Sequence, residues 1–455
     1  MTARPQKSVD REILRLALPA IVNNITVPLL GLCDTAIAGH LGSAIFLGAM
    51  SVGAMMLNVI YWLCGFLRMG TSGLTAQAFG AGDMPAGRDV LSKAMTIAAC
   101  LSVTAILLQT PLLRLLLAVI GPDPEVTAYA SLYFRICIWA APAQLGIMAV
   151  SGWFIGRQNT VVPMTVAIGV NVINILMSLL LVFVWHCGFA GIAAGTLTAA
   201  WIGFAGALLF VRRELAGESS KTGDRIKTKD NADGNAGAKG RVRWKLFFSV
   251  NGNLFFRSAC IMCVSLTMTS VGARLGELTL AANAVIMQFF LFFSYFMDGF
   301  AFAGEALVGR AAGARDGGML HLCVRSLLGW GAWMALAFLL VYMVASGPIT
   351  SLLTDVASVR QAVDEMHIWV VVLPPVAVSA FIFDGIFIGL ARTGSLLVST
   401  LIASAIFFAT VFLGPRIGET LSNPLLWTAF EIYLLMRGVL LASEYVKIQR
   451  KSLIL

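Results

Sequence analysis

Charge is scarce in this sequence. Asp, Glu, Lys and Arg make up 12% of its 455 residues, about half the roughly 25% of a soluble domain, and so thin a charge cover excludes a soluble multidomain protein. Catalytic signatures are missing too. There is no Walker loop, no GxSxG elbow, no HExxH and no dinucleotide-binding glycine pattern. The four histidines, His40, His186, His321 and His367, are dispersed, none at a metal-ligand spacing. Together these absences argue against an enzyme, a nucleotide-driven pump, a bound cofactor and a metal site. Cysteine offers no framework either. The eight are scattered, and the single CxxC, Cys260 and Cys263, lies inside an apolar run without a second pair, where a thiol behaves as a small apolar side chain.

Hydrophobic residues fill the space that charge leaves, at 58%. They fall into runs of about 20 residues, the length that crosses a bilayer core. Twelve are legible, near 14–38, 45–67, 93–119, 128–153, 161–185, 189–211, 249–272, 281–306, 323–345, 365–390, 396–413 and 425–446. The first follows a basic start and ends on a passable cleavage motif, yet it is too long for a signal-peptide core, so it reads as a retained span. The expected class is an all-α integral membrane protein.

A formal net charge of +9 invites a nucleic-acid reading, which the placement of the charges rejects. With the N-terminus in the cytoplasm, 25 of the 32 Lys and Arg fall on the cytoplasmic side, the positive-inside pattern. The basic excess orients the chain: multi-pass in a cell inner (cytoplasmic) membrane, both termini cytoplasmic, no nucleic-acid partner.

The stretch 212–245 is polar, rich in Gly, Lys and Asp, and without apolar periodicity. It reads as a disordered cytoplasmic linker, 212–248, a solvated tether rather than a headgroup-binding segment. It divides an N-terminal six-helix lobe, 1–211, from a C-terminal one, 249–455. The halves resemble each other. "GAGD" at 80–83 returns as "GARD" at 313–316, and Pro142, Gly152 and "FIG" at 154–156 return at Pro375, Gly385 and 387–389, all at an offset of 233. A constant offset over so long a stretch indicates duplication. Six spans is an even number, so both copies enter the membrane in the same sense. The expected architecture is twelve transmembrane helices in two parallel six-helix bundles related by a pseudo-twofold axis along the membrane normal, as in secondary transporters.

Ionisable residues within spans are few: Asp34, Arg135, Arg257, Asp298, Glu305, Asp384, Glu431 and Arg437. Each is costly unless it faces a cavity or finds a partner. Asp34 has no basic residue near it in sequence. Pro28, six residues earlier, interrupts the helix ladder and favours a bend; protonation of the carboxylate and bending would then be coupled. The bland reading makes Asp34 a satisfied interior carboxylate. Asn171 and Asn174, three apart on one face of the fifth span, with Ser178 a turn later, are its candidate partners, or else interhelical hydrogen-bonding groups. Asp298 and Glu305, two turns apart in the eighth span, with Asp384 in the tenth, either form a second cation or proton site or pair with Arg257 and Arg437.

Four stretches, "LALPAIVNNITVPLLGLCDTAIAGHLG", "GLTAQAFGAGD", "DGFAFAGEALVGRAAGARD" and "FDGIFIGLARTG", resemble the multidrug and toxic compound extrusion family, in its DinF-like branch, over nearly the whole chain. The resemblance implies a secondary active exporter of amphipathic, usually cationic, toxic organic compounds in exchange for protons or sodium ions, working in membrane lipid as a monomer. It implies that Asp34 is the proton-coupling site, and that Asn174, Ser178 and Thr196 form its network. Ser178 departs from members that carry a carboxylate there, leaving one acid in the first lobe. The rival within the superfamily is a flippase of a lipid-linked or anionic substrate, against which the excess of in-span acids over arginines counts.

Overall fold

The structure is a computed structural model, and it describes residues 6–41, 43–226, 240–414 and 421–450. Every regular element among them is helical. Twelve segments are long and apolar enough to cross a membrane, matching the twelve runs.

The helices gather into two compact units, one from Val22 to Phe247 and one from Phe248 onward that also takes the residues up to Ile21. The division departs from the lobe boundaries expected from the sequence at α1 (Gln6–Gly39), which contributes its start to the later unit and its remainder to the earlier one. The cause is local packing: a Cβ on Gly299 would stand 2.9 Å from the Ala17 carbonyl, so only the bare glycine lets the start of α1 lie against that helix.

The earlier unit continues with α2 (Ala44–Leu63), α3 (Phe66–Gly80), α4 (Met84–Leu107), α5 (Gln109–Ile120), α6 (Pro124–Cys137), α7 (Ala141–Gly156), α8 (Val161–Leu179) and α9 (Phe189–Ile226). Its core joins Ala49, Met56, Tyr133, Phe134, Ile192 and Ala193. A second cluster holds Trp153, Phe154, Val166 and Val211. The later unit comprises α10 (Trp244–Arg274, whose first turn belongs to the earlier unit), α11 (Glu277–Gly313), α12 (Gly317–Leu353), α13 (Ala357–Glu365), α14 (His367–Gly389), α15 (Thr393–Leu413) and α16 (Asn423–Arg450).

The duplication is visible as packing. In the earlier unit Gly152 of α7 lies against the Arg68 carbonyl, and a Cβ on Gly156 would stand 2.6 Å from the Ser72 carbonyl. In the later unit Gly385 of α14 lies against the Ala301 carbonyl, and a Cβ on Gly389 would stand 2.9 Å from that of Glu305. All four positions recur at the offset of 233. Small residues let helix backbones approach closely where lipid supplies no hydrophobic drive, so the copies cross at the same two points. They differ between those points. The second span breaks at Cys64 and Gly65, where the Gly65 N–H turns back to the Trp62 carbonyl at 3.1 Å, whereas α11 runs unbroken through the equivalent residues.

The expected linker is partly helical. Residues 212–226 extend α9, and Trp244 opens α10; 227–239 lie outside the described residues. Two ion-pair partners explain the extension. Glu214 and Glu218, one turn apart, both meet Arg157, at 2.8 and 2.5 Å, and Glu218 also meets Arg88 of α4 at 2.8 Å. Beyond the gap, the Val242 N–H donates to Asp89 at 2.8 Å, and the Trp244 ring lies 5.1 Å under the Lys93 ammonium.

The glycine crossings give a direct test. Gly152→Val and Gly385→Val each push a side chain into backbone and should cost about 1–3 kcal/mol or more by overpacking. Gly206, whose Cβ would meet open space, should tolerate Val within about 0.5 kcal/mol. Melting temperatures of the detergent-solubilised variants would show the split, and equal losses at all three would refute it.

Candidate functional site

Asp34 is buried in the earlier unit, 8% exposed, with the Asn174 side chain beside it. Asn174 is itself held on both sides. Its Nδ2 donates to the Thr196 hydroxyl at 3.3 Å, and its Oδ1 accepts from the Ser178 hydroxyl at 3.0 Å. Thr196 closes the chain by donating to the Ile192 carbonyl at 3.2 Å. An amide has two N–H groups, so with one spent on Thr196, Asn174 still has a second to offer. The Oδ1 of Asp34 has no hydrogen-bond partner among the described residues.

Close packing of α8 on α9 builds this arrangement. A Cβ on Gly191 would stand 3.1 Å from the backbone of Leu181; Gly195 lies directly against Ser178 and Gly203 against Val170. With Ala199, these residues repeat every four positions and present a face of small residues to α8. Just past Ser178 the helix widens into a π-helical turn, Leu180–Val184, and the Trp185 N–H reaches back five residues to the Leu180 carbonyl at 3.0 Å. Such turns are frequent at functional sites.

Tyr133 and Cys137 complete the surroundings of Asp34. Both are buried on α6; the Tyr133 hydroxyl contacts the Thr196 hydroxyl and the Cys137 thiol. Sequence reasoning missed them. Their signal in the sequence is a phenol and a thiol one turn apart in an apolar span.

Asn171 does not join the carboxylate as expected. It donates to the Thr26 carbonyl at 3.1 Å, eight residues before Asp34 on α1. Three residues along α8 shift a side chain by almost one turn, so Asn171 meets α1 beside Pro28 instead. There the Thr26 hydroxyl also donates to the Asn23 carbonyl at 2.7 Å. The proline removes one rung of the helix ladder, and α1 runs through it with its neighbouring carbonyls engaged by side chains.

The acids of the later unit are differently placed. Asp384 of α14 pairs through Oδ2 with Arg257 of α10 and with Arg437 of α16, the latter at 2.6 Å. All three are buried, and the Arg437 guanidinium lies 5.4 Å from the centre of the Tyr433 ring. Of the two readings of Asp384, the structure holds the pairing with arginine; a carboxylate bound by two guanidinium groups does not offer itself to a second cation. Asp298 is half-buried beside Tyr295 and within electrostatic reach of Arg437, and Glu305 is buried where α14 crosses α11 at Gly389. Glu431 is half-buried on α16, and Arg135 is exposed.

The family model MatE matches this chain twice, over residues 19–180 and 254–412. The chain belongs to the MatE family. The two matches begin and end at nearly the repeat offset, an independent sign of the duplication. Membership makes the chain a multi-pass membrane transporter of the multidrug and toxic compound extrusion class, not an enzyme, in a family whose transport needs no cofactor. It is 36% identical over 438 residues to DNA damage-inducible protein F of Escherichia coli, covering 96% of this chain and 92% of that protein, which places it with the DinF-like branch. It is 27% identical over 375 residues to the probable multidrug resistance protein NorM of Deinococcus radiodurans, covering 78% and 77%. A crystal structure of a mutant of the Vibrio cholerae MATE transporter VcmN superposes with a TM-score of 0.80 at 18% identity, covering 98% of each chain. The fold is therefore that of the MATE transporters.

The two buried aspartates should respond oppositely to loss of charge. Asp384→Asn leaves two buried guanidinium groups without their carboxylate and should cost about 3–5 kcal/mol. Asp34→Asn has no cation to strand and should stay within about 1 kcal/mol of the parent. Thermal unfolding in detergent would measure both, and comparable losses would contradict the assignment.

Proposed function

We propose that this transporter is a secondary active multidrug exporter that exchanges amphipathic organic cations for protons, with Asp34 as the coupling carboxylate. The observation that carries this is a buried carboxylate, Asp34, whose Oδ1 has no hydrogen-bond partner and which, unlike Asp384, pairs with no arginine among the described residues. A proton is favoured over sodium because a metal cation needs several oxygen ligands, whereas a proton needs only the carboxylate, and one of the two lone pairs of the Asn174 oxygen is already engaged by Ser178. Burial matters to the coupling. Two unit charges 4 Å apart interact by about 4 kcal/mol at an effective dielectric of about 20, against about 1 kcal/mol in bulk water. Only the former spans the tenfold or larger affinity change that drives exchange.

In this reading, deprotonated Asp34 holds the substrate's cationic group, and a proton arriving from outside neutralises it. Neutralisation releases the substrate and favours bending of α1 at Pro28, where Asn171 and Thr26 already hold backbone carbonyls. Asn174, Ser178 and Thr196 fix the orientation of the carboxylate's partner. Asp298, Glu305 and Asp384 belong to a charge-balanced scaffold rather than a second cation site. The protein works as a monomer in a cytoplasmic membrane, both termini on the cytoplasmic side, as the positive-inside distribution supports.

The test uses the purified protein in liposomes, following efflux of a fluorescent organic cation under an imposed pH gradient or an imposed sodium gradient. The pH gradient alone should drive efflux, and Asp34→Asn should lower the driven rate by at least about tenfold while the variant remains folded. Efflux that follows sodium alone, or that survives the substitution, would falsify the mechanism.

A further inference from the structure

The later unit carries a cavity of about 670 Å³ lined by Gln6 and Asp10 of α1 and by Arg325, Ser326, Gly329, Trp330 and Trp333 of α12. Its volume lies within the roughly 300–1,000 Å³ of sites that hold small organic ligands. Gln6 and Asp10 are one turn apart on one face of α1. On both helices the cavity sits where the sequence passes from charged to apolar: "QKSVDREILRLALPA" on α1, "VRSLLGWGAWMALAF" on α12. A membrane protein meets lipid headgroups at such a boundary, and tryptophan is enriched there.

Two observations point to a ligand. Ser326 is 3% exposed, and its hydroxyl has no hydrogen-bond partner among the described residues, although it lines the cavity. Gly329 is exposed and a Cβ there would meet open space, so this part of the lining face of α12 is bare of side chain. The charges are one of each sign, Asp10 and Arg325, and the salt bridges among the described residues include neither. Trp330 is fixed by stacking on Phe300, ring centres 6.3 Å apart. Beyond the cavity, Trp333, Leu336 and Leu340 form an exposed apolar line along α12.

We propose that this cavity binds the headgroup of a zwitterionic phospholipid carrying a primary ammonium. The phosphate takes Arg325 and the free Ser326 hydroxyl. The ammonium takes the Asp10 carboxylate and the Gln6 amide oxygen, both acceptors of N–H that a quaternary ammonium cannot use. An acyl chain follows Trp333, Leu336 and Leu340. A purely anionic headgroup would meet Asp10 and a purely cationic one Arg325, so the paired charges select a zwitterion. The apolar line commits the occupant to a lipid rather than to a free phosphate ester.

The test places the full-length protein in lipid vesicles containing a photoactivatable phosphatidylethanolamine and maps the cross-linked peptides by mass spectrometry. Labelling should concentrate on the start of α1 and on α12 from Arg325 to Leu340. Unlabelled phosphatidylethanolamine should compete at least about tenfold better than phosphatidylglycerol or phosphatidylcholine, the difference of one charge-assisted contact. Gly329→Leu should fill the cavity and remove this labelling with an unchanged melting temperature, and Asp10→Asn should abolish the preference for the primary amine. Labelling spread evenly over lipid-facing helices, labelling that persists in Gly329→Leu, or equal competition by the other two lipids would each overturn the site.

Discussion

A polar group inside a bilayer has no water to turn to, so its partners must come from the protein itself. Much of this structure follows from that rule. Asn174 is satisfied by Ser178 on one side and Thr196 on the other, which requires α8 and α9 to lie close, which in turn requires Gly191, Gly195 and Gly203. Asp384 meets the same rule with charge, through Arg257 and Arg437. Against this background Asp34 differs in charge: its Oδ1, like that of Asp384, has no hydrogen-bond partner among the described residues, but no arginine there pairs with it. Of the two buried aspartates, one is held by two arginines and the other by none among the described residues.

The duplication supplied a scaffold, and the chemistry diverged on it. The glycine crossings recur in both units at Gly152 and Gly156 and at Gly385 and Gly389, while polar positions on the helices they cross do not correspond. Ser72 stands where the second copy has Glu305, and Gly65, at the break between α2 and α3, stands where it has Asp298. Backbone proximity tolerates no added atom, so those positions stayed alike. The polar positions were free to specialise, one unit toward hydrogen bonds around a lone acid and the other toward a balanced cluster of charge.

The fold was legible in the sequence because bilayer thickness imposes a length on every span and duplication imposes a period. Asp34 stood out for an equally simple reason: an acid in an apolar run is expensive. Asn174 and Ser178 were legible as polar residues on one face of the fifth span and Thr196 only through resemblance; the structure joins the three by hydrogen bonds. Other features depended on geometry that no spacing reveals. Asn171 and Asn174 share a face, yet reach α1 more than two turns apart. A phenol and a thiol one turn apart do not by themselves set Tyr133 and Cys137 apart from packing residues; the fold turns Tyr133 toward Thr196 and the Cys137 thiol toward the Ala193 carbonyl. The helix past 212 looked like a tether because its stabilising partners, Arg157 and Arg88, are distant in sequence. Likewise the start of α1 groups with the later helices through a glycine some 280 residues away.

Glu218 and Val242 are anchored to Arg88 and Asp89, neighbouring residues of α4. The stretch between them therefore starts and finishes beside itself. For a loop with such closely held ends, the entropy of closure grows only with the logarithm of its length, about 0.6 kcal/mol for each doubling. Residues added or removed past the end of α9 at Ile226 should have small effect on either unit, so an inserted domain or tag would be carried there as a passenger.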